Sequence, residues 1–141
     1  MAQLIALAGC EEALYRLEIG ESADEDVVLD RDDAGVVERD RPLELAPAWA
    51  RGRVLDVDAS GAAIVVLLDR RPPLLVPHDS GVTWSERGSG LPRGRAVALG
   101  DNPDLVLYAT ESRLHVSRDG GRFWRAIAVE LPDLQDVAWD T

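Results

Sequence analysis

Short apolar runs separated by turn-forming residues recur along most of the chain. From residue 51 onward these runs are rich in Val, Leu and Ala, and Gly, Pro, Asp or Asn stands between one run and the next. Such runs are too short for stable helices and are typical of strands in antiparallel sheets. The pattern therefore predicts an all-β fold.

The runs repeat with a period close to 40 residues. Residues 51–57 (RGRVLDV) return as RGRAVAL at 93–99, and residues 91–99 (LPRGRAVAL) return as LPDLQDVAW at 131–139. A period of this length, made of four short strands, is typical of the blades of a β-propeller. The two blade-like units that this repeat predicts are residues 51–92 and 93–132.

The first third of the chain follows the repeat more loosely. Acidic turns separate four strand-like runs there, and these runs predict a degenerate first blade. The runs are residues 2–8, 13–19, 26–30 and 35–40, within a unit of residues 2–50. One strand, in residues 133–141, is left over at the end. We expect a single propeller-like domain, residues 1–141, of about three four-stranded antiparallel blades plus one strand.

Such a chain is too short for a closed ring, because closed propellers have roughly four to eight blades. An open stack of sheets would leave strand edges unpaired. Three alternatives remain: part of a longer propeller, an irregular packing of the sheets, or a homodimer. In the homodimer, the last strand (Gln135 to Trp139) would complete the first blade of a second copy.

Each of the units 51–92 and 93–132 has a similar stretch at its last turn. The stretches are PHDSGVTW at 77–84 and SRDGGRFW at 117–124. A tight turn between two strands needs positive φ, which glycine adopts without strain. An aspartate just before the glycine can accept backbone N–H bonds and lock the turn. The tryptophan then starts the outer strand and covers the seam with a neighbouring sheet. In order, these residues are Asp79, Gly81 and Trp84, then Asp119, Gly121 and Trp124.

Both stretches resemble the Asp-box, or bacterial neuraminidase repeat, with its pattern Ser/Thr-x-Asp-x-Gly-x-Thr-Trp. Pro77 and Phe123 depart from that pattern at one position each. The resemblance implies a β-propeller with the Asp turns at the blade rim, in a structural role. The matching residues are Asp79, Gly81, Thr83 and Trp84 in the first copy, and Ser117, Asp119, Gly121 and Trp124 in the second.

Two functions follow from the resemblance. The first is a non-catalytic propeller module that acts as a scaffold or as a binding surface for protein or glycan. The alternative is a sialidase-like glycoside hydrolase, in which two inward carboxylates would lie roughly 5–10 Å apart in a pocket. The Phe/Tyr-Arg-Ile-Pro element of sialidase catalytic domains appears nowhere in the sequence, and Tyr108 lies in an apolar run that indicates a core residue. We therefore assign no catalytic residues.

Charge and cysteine content exclude several kinds of partner and site. The chain has 26 acidic and 15 basic side chains, a net charge of −11, which argues against nucleic acid as a partner. Its single cysteine excludes an internal disulfide and a cysteine-based metal cluster. No apolar stretch is long enough to span a membrane. We expect a cytoplasmic protein that has no metal, no cofactor and no membrane partner.

Four arginines surround the second Asp turn, and two interpretations of them remain open. They could hold an anionic partner through their guanidinium groups. They could instead neutralise the acidic first third of the chain, either within the protein or on a second copy. Residues 1–50 carry 13 acidic side chains against 4 arginines. The four arginines are Arg113, Arg118, Arg122 and Arg125.

Overall fold

A computed structural model describes residues 3–78 and 82–140, and in these the chain is all-β. Asp79 and Gly81 of the first Asp turn lie outside the described residues. The strands are β1 Leu4–Cys10, β2 Leu14–Ile19, β3 Val27–Asp32, β4 Val54–Ser60, β5 Ala63–Leu68, β6 Leu74–His78, β7 Thr83–Arg87, β8 Ala96–Leu99, β9 Val106–Ala109, β10 Arg113–Ser117, β11 Arg125–Glu130 and β12 Leu134–Trp139. Three short 3₁₀ helices are Ala23–Glu25, Leu43–Leu45 and Ala48–Arg53. None of the described helices has the length and apolar character needed to cross a bilayer.

The second and third sheets lie within residues 51–92 and 93–132, the two units of the repeat. The second sheet has the strand order β4-β5-β6-β7, and the third has β8-β9-β10-β11, so each is a meander of neighbours in sequence. All pairs are antiparallel. The predicted all-β fold of four-stranded antiparallel sheets, with a propeller-like order of strands, is confirmed.

The first sheet is built differently, with the strand order β12-β1-β2-β3. Residues 35–40, which the sequence pattern predicts as a strand, form none, so the prediction of four strands before residue 50 is wrong for that run. The last strand of the chain takes the vacant place beside β1, with Ala6 opposite Trp139 and Ala8 opposite Val137. The strand that we expected to be left over therefore completes the chain's own first sheet. A homodimer stays a prediction, but it no longer follows from an unpaired strand.

The third sheet lies between the other two. Its β8 contacts both β4 of the second sheet and β12 of the first. One core cluster lies between the first and third sheets, a second lies between the second and third, and a third lies on the second sheet. Strand β9 is buried along its whole length, whereas the outer strand β11 buries only Ile127 fully. Two-sided burial explains why the middle strands read as continuous apolar runs.

Tyr108 is the largest fully buried side chain, as its apolar run predicts. Its hydroxyl donates to the carbonyl of Pro92 at 2.6 Å, so the polar end of the ring is satisfied inside the core. A Cβ atom on Gly94 would lie 2.6 Å from the Tyr108 ring. The glycine of the repeated Arg-Gly-Arg sequence is needed here because the ring approaches the backbone too closely for any side chain.

Candidate functional site

The Asp turn of the third sheet joins β10 to β11 and is held by its own side chains. The Asp119 carboxylate accepts N–H bonds from Phe123 at 2.9 Å and from Arg122 at 3.2 Å. Ser117 donates its hydroxyl to Asp119 at 2.7 Å and accepts the N–H of Gly121 at 2.8 Å. Five residues therefore satisfy one another within a single turn, and the backbone between two strands is locked.

Glycine is required twice in this turn. Gly121 has φ of 93°, as the sequence predicts, and Gly120 has φ of 74°. Other residues rarely adopt this left-handed conformation. The indole of Trp124 donates to the carbonyl of Gly121 at 2.9 Å, and its ring packs edge-on against Tyr108 with centroids 5.7 Å apart. The half-buried tryptophan thus joins the turn to the core between the second and third sheets.

The hydrogen bonds hold Asp119 in its charged form. The N–H of Phe123 and then the hydroxyl of Ser117 lower the pKa of the Asp119 carboxyl below its usual value. A carboxylate stabilised as an acceptor is a poor proton donor, which fits a structural role rather than acid catalysis.

The matching residues of the second sheet are described only in part. Thr83 begins β7 and is exposed, and Trp84 follows it, half-buried against the core cluster of the second sheet. His78, at the end of β6, shares a hydrogen bond with Ser85 of β7. Trp84 therefore packs on the core cluster of the second sheet, whereas Trp124 packs on the cluster between the second and third sheets.

The four arginines around the Asp turn all bond within the protein. Arg125 pairs with Asp26 at 2.7 Å and donates to the carbonyl of Gly20, and Arg118 donates to the same carbonyl at 2.9 Å. Arg113 donates to the carbonyl of Ile127. Arg122 donates, at a long 3.4 Å, to the carbonyl of Asp119. The contacts of Arg118 and Arg125 link the third sheet to the acidic first third of the chain.

Asp26 is the main acidic partner in that link. Burial alone would raise the pKa of its carboxyl, but the hydrogen bond from Arg125 and the N–H groups of Ala128 and Gly20 outweigh burial and lower it. The N–H of Ala128 belongs to the outer strand β11, so the carboxylate also caps part of that strand's free edge.

A shallow groove of about 290 Å³ lies beside this turn. Phe123 stands at its border with 78% of its surface exposed, the second most exposed large apolar side chain among the described residues. The groove is lined by Glu21, Val116, Arg118, Asp119, Phe123, Trp124 and Arg125. A rigid turn, an exposed aromatic ring and guanidinium groups with free donors are thus combined at one rim of the third sheet.

A second charged group was missed by the sequence analysis, and in it one arginine bridges β4 and β12. Arg39, only 9% exposed, donates to Asp136 at 2.9 Å and also pairs with Asp56, which is fully buried. Its remaining N–H groups reach the carbonyls of Val57 and Val137. We call Arg39, Asp56 and Asp136 the central seam.

The two aspartates of the central seam occupy equivalent places on two inner strands. Each accepts the N–H of the residue that follows it, at 2.9 Å in both cases, and each stands just after an irregularity in the strand pairing. Asp56 also accepts the N–H of Val97 on β8. The repeated Asp-Val pairs of the sequence, 56–57 and 136–137, were the signal available for finding this group.

The central seam bears on the hydrolase alternative. Its inner-strand carboxylates are shared with one arginine, and Asp136 pairs with Arg41 as well. Burial raises the pKa of Asp56, against the attraction of Arg39. Asp56 is fully buried and both carboxylates already pair with arginine, so the central seam offers no open pair of carboxylates to a sugar. Within residues 3–78 and 82–140, no cluster of three or more metal-ligating side chains is formed.

In the described residues, the fold and the Asp turn of the third sheet define a class of protein: an all-β chain with three four-stranded sheets and one side-chain-locked turn between outer strands. Comparison with protein-family models gives no match for this chain, and a search of curated proteins gives none either.

Proposed function

We propose that the chain is a non-catalytic module of the Asp-box β-propeller family and that it binds a protein or a glycan. The support for the family is the turn itself, in which Ser117, Asp119, Gly121 and Trp124 each have a bonding role. The binding surface is the groove beside the turn. A cytoplasmic location is part of the proposal, since the only cysteine cannot form an internal disulfide.

The exposure of Phe123 carries the proposal. The backbone N–H groups of Arg122 and of Phe123 itself donate to Asp119, so the ring is displayed on a rigid support. An aromatic ring contributes nothing to the core when 78% of its surface faces water. Rigid exposed aromatic side chains are the residues that anchor protein interfaces, and they also stack on sugars.

The groove suits a ligand held by surface contacts rather than one that undergoes reaction. Arg118 uses one guanidinium nitrogen for its bond to Gly20, which leaves other donors for a ligand. The nearby Asp119 is held in its charged form as an acceptor of backbone N–H groups. The arrangement provides apolar contact and hydrogen-bond donors, but no pair of free carboxylates among the described residues of the groove.

A photo-crosslinking amino acid at position 123 tests the binding surface. Placed there in cells that express the chain, it should give one dominant crosslinked product. Val82 is the matched control, because it is 80% exposed but lies on the second sheet's turn. A glycan array with the wild-type chain and Phe123→Ala covers the other ligand class. The proposal is wrong if positions 123 and 82 give the same products and the array shows no binding that depends on Phe123.

Hydrolysis of chromogenic glycosides is measured on the same protein. We expect no turnover above background, because the inner-strand carboxylates are paired with Arg39. Turnover that Asp56→Asn abolishes while the chain stays folded would instead support the glycoside hydrolase.

A further inference from the structure

A cavity of about 180 Å³ opens between the second and third sheets, and it borders the Asp turn at Gly120 and Gly121 without sharing a wall residue with the groove at Phe123. Its walls are apolar and come from the core cluster that these two sheets share. The larger apolar wall residues are Ile64, Val65, Leu74, Val76, Leu99 and Val106. Apolar clefts with few polar groups are the usual form of small-molecule sites, and this one is smaller than most.

One charged side chain stands in this apolar wall. Arg87, at the end of β7, lines the cavity, and its stem lies against the backbone of Gly121, where a Cβ atom would be 3.6 Å from the arginine Cβ. Its Nε is buried and has no hydrogen-bond partner. Among the described residues its only bond is from Nη1 to the neighbouring carbonyl of Glu86, at 3.1 Å.

A buried guanidinium nitrogen without a hydrogen-bond partner is unfavourable, and the Nε of Arg87 is such a nitrogen. Burying an unpaired polar or charged group costs free energy, and such groups normally find a partner in the protein. Eight of the other arginines pair with a carboxylate in the described parts of the chain. Arg87 therefore places a positive charge beside an apolar space, and its remaining N–H groups can donate to an anion.

We propose that this cavity binds a small organic acid with an apolar body, whose carboxylate pairs with Arg87. The guanidinium supplies a charge-assisted hydrogen bond of the kind that arginine forms with carboxylates. The apolar body fills the space between the two sheets, and the volume limits it to a compact ring or a short branched chain. The proposal is independent of the groove at Phe123, because the two share no wall residue.

Titration of the ¹⁵N-labelled chain with benzoate tests the proposal. Two probes separate the parts of the ligand: benzamide keeps the shape without the charge, and acetate keeps the charge without the body. We expect benzoate to saturate below about 10 mM, the weak end for a ligand of this size. Its amide shifts should centre on Gly120 and Gly121, which line the cavity. Benzamide and acetate should bind at least about tenfold more weakly, the effect of losing one charged hydrogen bond or the apolar contact.

Two variants locate the site. Arg87→Gln should weaken benzoate binding by about tenfold or more, and Ala62→Phe, at an exposed position of the cavity mouth, should block it without entering the core. Arg53→Gln is the matched control, since Arg53 is exposed and does not line the cavity. The proposal is overturned if benzoate does not saturate, if benzamide binds equally well, or if Arg53→Gln weakens binding as much as Arg87→Gln. If Arg87→Gln does not fold, the comparison of Ala62→Phe with wild type decides.

Discussion

The Asp turn of the third sheet, called the rim turn from here on, and the central seam each depend on an aspartate that accepts backbone N–H groups. They differ in how far apart in sequence the bonded residues lie. Asp119 bonds to residues three and four positions ahead of it. Asp56 bonds to Val97, 41 residues away, and pairs with Arg39, which in turn reaches Asp136, 97 residues from it. The rim turn organises one hairpin, whereas the central seam joins all three sheets.

The comparison teaches how environment changes the role of one residue type. Asp119 lies close to solvent, and its hydrogen bonds lower its pKa. Asp56 is fully buried, and loss of water raises its pKa despite the neighbouring arginine. Removing a partner from a buried pair leaves a charge without water, whereas a rim carboxylate can be replaced by solvent. We therefore expect larger effects at the central seam.

Arg39→Met should have the largest effect, because it leaves Asp56 and Asp136 without their shared cation. We expect a loss of about 3–5 kcal/mol in the free energy of unfolding, as for a broken buried ion pair. Chemical denaturation at neutral pH measures it. Arg41→Met is the control, since Arg41 also pairs with Asp136 but is 44% exposed, and it should cost less than about 1 kcal/mol. Equal losses in the two variants would contradict the role given to the central seam.

Trp124→Ala should cause the second largest loss of stability. The ring is half-buried between the second and third sheets, so we expect a loss of about 2–3 kcal/mol, below the value for a fully buried tryptophan. Thermal and chemical unfolding measure the change. Trp49, 65% exposed, provides the comparison, and Trp49→Ala should change stability by less than about 0.5 kcal/mol. If Trp124→Ala loses no more stability than Trp49→Ala, the structural role of Trp124 is contradicted.

Asp119→Ala should cost about 1–2 kcal/mol at pH 7, because a turn-locking acceptor is lost. The exposed Asp101 is the matched control. Binding at the groove should survive if Phe123 stays displayed. An unchanged melting temperature together with lost binding would show that Asp119 contacts the ligand.

The smallest effect concerns pH. The folded-state pKa of Asp119 is lowered, so its contribution is fully present above the unfolded value of about 3.9 and is lost as pH falls through the folded pKa. The difference in stability between wild type and Asp119→Ala should therefore shrink in acid. Asp56 has the opposite sign: its contribution decreases as pH rises from the unfolded value through its raised pKa. Carboxyl ¹³C titration checks both directions, and titration of both groups at the usual value would contradict the comparison.

Much of the second and third sheets could be predicted from sequence because their partners are close in the chain. The hairpins join neighbouring strands, and the side-chain acceptors of the Asp turn, Ser117 and Asp119, lie within the turn itself, although Gly120 donates to the carbonyl of Asp104. Period, glycine placement and apolar runs report such local structure directly. The groove at Phe123 could not be predicted in the same way, because the exposure of the Phe123 ring depends on how the turn packs against the sheets.

The first sheet shows what the sequence could not reveal. An apolar run indicates that a strand is buried, but it does not say which strand edge it joins. The tertiary structure alone decided that Leu134–Trp139 pairs with β1, and that residues 35–40 leave the sheet and place Arg39 between Asp56 and Asp136. The sequence by itself determined the strands, their period and the locked turn, because these depend on contacts within a few residues. Pairing between distant segments depends instead on the competition of all free edges and charges for one another, which the folded chain settles as a whole.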